Sequence, residues 1–84
     1  MLNLEVTNPA GEPAVGKLHL GFIPKSEDGQ RLGTSVTTDG RGRAVYRQGM
    51  PGEHELRFSI EGVGSARMTR TLEVGEQSIA VRLE

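Results

Sequence analysis

The sequence predicts an all-β fold, a seven-stranded antiparallel β-sandwich built by residues 1–84 as one domain. Three observations predict it. Apolar and polar residues alternate at period two, most clearly where His54, Leu56, Phe58 and Ile60 interleave with Glu53, Glu55, Arg57, Ser59 and Glu61. Turn sequences rich in Gly, Pro, Asn and Asp recur at roughly 8–12-residue intervals, the spacing of a sandwich. No segment keeps the period of an amphipathic helix.

Taken in order, Leu2, Leu4 and Val6 alternate with Asn3, Glu5 and Thr7 as a first strand, and Asn8-Pro9-Ala10-Gly11-Glu12-Pro13 is a turn. Val15 begins a second strand, with Leu18, Leu20 and Phe22 inward and Lys17, His19 and Gly21 outward. Val15 is off that parity, which predicts a bulge near Gly16. Pro24 ends the strand, and Lys25 to Arg31 is the longest polar loop. Further strands are expected over 33–38, 43–47, 53–61 and 66–74, and a last one carries Ile79, Val81 and Leu83 inward. Gly62-Val63-Gly64-Ser65 and Gly75-Glu76-Gln77 read as turns. Val36, Tyr46, Met68, Leu72 and Val74 complete the expected inward set.

The stretch from Thr37 to Ile60 carries the most turn chemistry. If Thr38 pairs with Ala44 and Val36 with Tyr46, Gly40-Arg41-Gly42 becomes a three-residue hairpin loop. Gly42 then occupies the left-handed region, which glycine enters without a Cβ clash. A two-residue loop would slip the register by one and turn Tyr46 outward, so the first register is preferred. Gln48-Gly49-Met50-Pro51-Gly52 reads as a type II turn, with φ fixed at Pro51 and freedom supplied by Gly52.

The run Thr37-Thr38-Asp39-Gly40-Arg41-Gly42-Arg43-Ala44-Val45-Tyr46, followed by Met50-Pro51-Gly52-Glu53-His54-Glu55-Leu56-Arg57-Phe58, resembles the core of carboxypeptidase regulatory-like domains and their transthyretin-like and Cna B-type relatives. The resemblance implies a small, immunoglobulin-like, seven-stranded sandwich. His54 stands where that family usually has tyrosine. With Asn8 to Pro13 as the family's first turn, the resemblance covers most of the chain. Its motifs are turn chemistry, which specifies fold more than function.

Composition narrows the function classes. A chain of this size buries about 60–65% of its unfolded surface, a thin core, and its aromatics are Phe22, Phe58 and Tyr46 alone. The absence of cysteine rules out a disulfide or thiolate site; it fits the cytoplasm and is compatible with a fragment of a larger exported protein. No apolar run reaches membrane-spanning length, and no charged-then-apolar leader is visible. A net charge of −1 gives no general attraction to nucleic acid.

Candidate chemistry is sparse. His19 and His54 fall on opposite strand faces, so they do not converge on zinc. Asp39 lies in a loop of calcium-like sequence, but one carboxylate beside Arg41 lacks the ligands. Hydroxyisourate hydrolase shares the transthyretin-like fold and ends in a tyrosine-arginine-glycine-serine signature. This chain ends Ala80-Val81-Arg82-Leu83-Glu84, so that signature is missing. Some Cna B-type relatives form an isopeptide. Lys17 has outward parity, and Ser78 to Glu84 contains no Asn or Asp to receive it. Arg31, Arg41, Arg43 and Arg47 cluster without aromatic stacking platforms for nucleic acid. Arg70 shares parity with Met68 and Leu72, which requires a bulge, an open edge or a carboxylate partner.

These readings point to a non-catalytic module for protein–protein binding or assembly, with no cofactor. A carbohydrate-binding accessory module is the alternative from another class, opposed by the lack of tryptophan. A hydroxyisourate hydrolase-like enzyme is the third. Edge strands and end loops are the usual contact surfaces of such a fold. Arg43, Val45 and Arg47 face away from the core on a short strand and form the expected partner contact, an apolar centre with a charged rim.

Overall fold

The computed structural model describes residues 1–25, 31–47 and 51–84. These residues form β1 (Leu2–Thr7), β2 (Lys17–Pro24), β3 (Leu32–Thr37), β4 (Arg43–Tyr46), β5 (Gly52–Ile60), β6 (Gly64–Leu72) and β7 (Gln77–Arg82). They lie in a three-stranded sheet, β4-β1-β7, and a four-stranded sheet, β3-β2-β5-β6. One apolar cluster draws on both sheets. Leu2, Leu4, Val6, Ile79 and Val81 come from the first sheet, and Leu18, Leu20, Phe22, Leu56, Phe58, Ile60 and Leu72 from the second. Alternation produces this core directly, because every second side chain of a strand points to the same face. Phe22 of β2 and Tyr46 of β4 stack across the two sheets, with ring centroids 5.4 Å apart and planes 21° from parallel.

Two expectations about pairing are corrected. The strands are not all antiparallel: β1 and β7 run parallel, with Leu4 opposite Ile79 and Val6 opposite Val81. β7 reaches β1 after crossing from β6 in the other sheet, so no tight hairpin imposes an antiparallel sense. Nor do β3 and β4 form a hairpin. β3 pairs with β2, placing Val36 opposite Leu18. β4 pairs with β1, placing Ala44 opposite Leu4 and Tyr46 opposite Leu2. Tyr46 does turn toward the core, but it is half-buried against β1 rather than opposite Val36.

The turn between β3 and β4 nevertheless has the expected local form. Asp39 N–H donates to the Arg43 carbonyl at 2.9 Å, and Gly42 N–H donates to the Asp39 carbonyl at 3.0 Å. Gly40-Arg41-Gly42 is thus a three-residue loop, with Gly42 at φ +74°. Beyond it the two strands are captured by different sheets: Thr38 N–H donates to the carbonyl of Gly16, just ahead of β2 in the four-stranded sheet, and the Gly42 carbonyl accepts from Val6 of the three-stranded one. The turn is a corner of the sandwich. The same construction closes Asn8 to Glu12. There the Asn8 side-chain oxygen accepts from Ala10 and Glu12 N–H, both at 2.9 Å, and Gly11 has φ +86°. An Asx side chain bonding its own backbone two and four residues on is a familiar turn device.

Three smaller corrections follow from this wiring. Val15 does not begin β2; it is 56% exposed, and Ala14 takes the buried place. Ala14 N–H bonds the Val6 carbonyl at 2.9 Å, while the buried Thr38 hydroxyl donates to Ala14 O at 2.8 Å and accepts from Gly16 N–H at 2.9 Å. These bonds pull Ala14 inward and turn Val15 out. Val74 is not in the core but 89% exposed. β6 ends where its partner begins, at the Gly52–Leu72 pair, so Val74 has no sheet beneath it. Gly64 and Ser65 belong to β6, and the turn before it is Glu61-Gly62-Val63. The proposed type II turn at Gln48–Gly52 and the polar loop from Lys25 to Arg31 fall largely outside the described residues, although Gly52 has φ +118° and opens β5.

Candidate partner-binding face

The three-stranded sheet buries its even-numbered β1 and β4 residues and leaves the odd-numbered ones outside. Across it run two outer rows, Val45–Asn3–Ser78 and Arg43–Glu5–Ala80. Ser78, Ala80 and Asn3 are small, whereas Val45 and Arg43 are bulky. The outcome is a shallow depression of about 490 Å³ lined by Asn3, Glu5, Arg43, Val45, Ser78 and Ala80. Asn3 Nδ2 donates to Glu76 Oε1 at 2.9 Å and steadies one wall. Further along the same face, Arg82 donates to the Pro9 carbonyl at 2.7 Å.

β4 is an edge of this sheet. Val45 is 55% exposed, and Arg43 and Arg47 on either side of it are exposed too. The structure therefore brings Arg43 and Val45 into one depression and leaves Arg47 just beyond β4. Antiparallel partners alternate between hydrogen-bonded and non-bonded pairs. Because Val6 N–H bonds the Gly42 carbonyl, the bonded pairs are Gly42–Val6, Ala44–Leu4 and Tyr46–Leu2. The backbone groups of Val45 thus point away from β1, toward solvent. Those of Arg43 are held by the corner turn: its N–H donates to Asp39 Oδ1 at 3.0 Å and its carbonyl accepts from Asp39 N–H.

Asp39 fixes where β4 starts. Its Oδ1 also accepts from Arg41 N–H at 2.8 Å. The backbone bonds from Arg43 and Arg41 hold its carboxyl below the ordinary aspartate range. The folded pKa is lower than the unfolded one, so the contribution to stability is present above the unfolded value and is lost as pH falls through the folded value. Asp39→Asn keeps the oxygen acceptor but not the charge. It is expected to lower the urea midpoint at pH 7 and to match the wild type once the pH is acid enough to protonate Asp39. Equal midpoints at both pH values would show that the charge contributes nothing to the turn.

The other sequence candidates are dispersed. His19 is exposed on the outer face of β2, whereas His54 is 3% exposed on the inner face of β5. His54 Nδ1 lies 2.9 Å from the Gly52 carbonyl, and since a carbonyl only accepts, Nδ1 carries a proton. Among the described residues no three His, Asp or Glu side chains converge on a point. Lys17 is exposed. Arg70 sits opposite His54 on β6, an edge strand, and its exposed guanidinium bonds the Thr69 carbonyl at 3.3 Å, so the open edge accounts for its parity. The depression itself was not foreseen. Its signal was the small outward residues Ser78 and Ala80, whose position beside β1 depends on the parallel pairing. No protein-family model and no curated protein sequence matches this chain.

Proposed function

We propose that the chain is a non-catalytic binding module that takes a protein partner on the outer face of the three-stranded sheet, at its β4 edge. The observation that carries this reading is Val45, more than half exposed on an edge strand, between two exposed arginines and beside a depression of about 490 Å³. An apolar centre with a polar rim is the composition of a modest protein contact. The partner's side chain would rest on Val45 and Ala80, and its carboxylates would meet Arg43 and Arg47. We further propose kinship with the carboxypeptidase regulatory-like, transthyretin-like and Cna B-type domains. That assignment rests on the Thr38-Asp39-Gly40-Arg41-Gly42 corner and the Pro51-Gly52 turn ahead of the long alternating strand.

The test is the double variant Val45→Glu with Arg47→Glu. Both side chains are exposed, so the fold is expected to survive, with an unchanged urea midpoint. A photo-crosslinking residue at Ser78 should trap a partner from native-host extract in the wild type and not in the double variant. Trapping that persists in the folded double variant would place the contact on another surface.

A further inference from the structure

An edge strand presents unpaired backbone groups, and proteins usually guard such edges with charge, proline, bulges or a covering segment. The β6–β7 side of this molecule is guarded. Ser65 and Glu84 exchange backbone bonds of 3.1 and 2.9 Å, and Gln77 Nε2 donates to the Thr71 carbonyl at 3.2 Å. β6 also carries Arg67 and Arg70. β4 is four residues long, its Arg43 backbone is occupied, and Arg43 and Arg47 flank Val45. Pairing β4 with a second copy of itself about Val45 would set Arg43 against Arg47, like charges face to face.

β3 differs. From Leu32 to Thr38 it reads Leu-Gly-Thr-Ser-Val-Thr-Thr, with no charge and no proline. Thr38 N–H bonds the Gly16 carbonyl, so the bonded β2–β3 pairs are the even-numbered ones, Leu18–Val36 and Leu20–Thr34. The N–H and C=O groups of Gly33, Ser35 and Thr37 therefore point away from β2. All three residues are exposed, and among the described residues no loop or side-chain hydrogen bond reaches their backbone. Leu32 is 38% exposed at the start of the same edge.

We propose that this edge pairs with β3 of a second copy of the chain, antiparallel about a two-fold axis through Ser35. Full overlap of residues 32–38 selects that axis. Gly33 then exchanges backbone bonds with Thr37, and Ser35 with Ser35. On the inner side, half-buried Thr34 meets half-buried Val36, a favourable pairing of β-branched residues. The ladder stops after the Gly33–Thr37 pairs, because the Asp39 N–H and C=O are already held by Arg43 and Gly42 of the corner. Beyond it only the long Arg31 side chain of one copy approaches the Asp39 carboxylate of the other, an opposite-charge contact that the symmetry makes twice. The two four-stranded sheets become one continuous eight-stranded sheet, and the self-complementary charge pattern distinguishes this edge from β4. The inference does not rest on the β4 reading, and the two fail separately.

The chain has no cysteine, so single-cysteine variants report the geometry cleanly. A hydrogen-bonded antiparallel pair spaces its Cα atoms by about 5.5 Å, within disulfide reach. Under mild oxidation Ser35→Cys is expected to form a covalent dimer, while Thr37→Cys, which faces Gly33 of the other copy, is not. In sedimentation equilibrium the wild type should dimerise. Ser35→Pro, which removes only an N–H that faces solvent, should weaken dimerisation at least about tenfold. Ser35→Lys, which sets like charges opposite each other, should do the same. Val45→Glu with Arg47→Glu should leave the dimer intact. A wild type that stays monomeric up to about 1 mM, or a Thr37→Cys variant that crosslinks as fast as Ser35→Cys, overturns the proposal.

Discussion

Gly42→Ala is expected to destabilise the protein far more than Gly11→Ala, although both glycines occupy the same position of the same kind of turn. Their φ values are +74° and +86°, so each substitution carries the strain of an L-residue in the left-handed region, about 1–2 kcal/mol. The surroundings differ. A Cβ on Gly11 meets nothing within 4 Å. A Cβ on Gly42 would overlap the Val6 carbonyl oxygen and lie 3.1 Å from Ala14 N and 3.3 Å from Pro13 Cα. All three are backbone atoms, and the Val6 carbonyl is already the acceptor for Ala14 N–H. Relief requires β1 and the Pro13–Ala14 segment to move apart, which adds roughly 1–3 kcal/mol of overpacking to the strain. Gly42→Val should be worse still. Gly40, with open space around it, should accept alanine at little cost. Urea denaturation of the three alanine variants checks the order. Equal midpoints for Gly11→Ala and Gly42→Ala would mean that the corner does not press against β1.

The second large effect is expected at Phe58. It is 2% exposed, lies opposite Leu20 of β2 and Ala66 of β6, and is one of only two phenylalanines in the chain. Phe58→Ala removes a large buried side chain from the core and leaves a cavity, at about 3–5 kcal/mol. Small domains have little stability in reserve, so the variant is expected to be largely unfolded at 37 °C by far-ultraviolet circular dichroism. His19→Ala, on the exposed face of β2, should leave the midpoint unchanged. A folded Phe58→Ala variant would mean that β5 does not bury its even-numbered face.

Much of this was legible in one dimension. The period-two alternation of β5 placed His54, Leu56, Phe58 and Ile60 on one face, and all four are buried. Strand positions followed from the turns, because Asn8 and Asp39 each start a turn whose side-chain acceptor and left-handed glycine are local in sequence. The exposure of Val45 and the outward parity of Arg43 were equally local. What could not be read was the partner of each strand. A Gly-rich turn closes in the same way whether its strands pair with each other or part into two sheets. The choice at Asp39–Arg43 was made by distant acceptors and donors, Gly16 and Val6.

Residue type, spacing and parity determined which segments are strands, which face of each is apolar and where the chain turns, because these depend on steric and solvation effects within a few residues. The tertiary structure decided the rest. Parallel pairing of β7 with β1 set Ser78 and Ala80 beside Asn3 and Glu5 and made the outer depression. The split at the Asp39 corner left β3 and β4 as separate edges, one neutral and one flanked by arginines. Those outcomes depend on hydrogen bonds between segments far apart in the chain, and no local preference encodes which of several equivalent strand edges will meet.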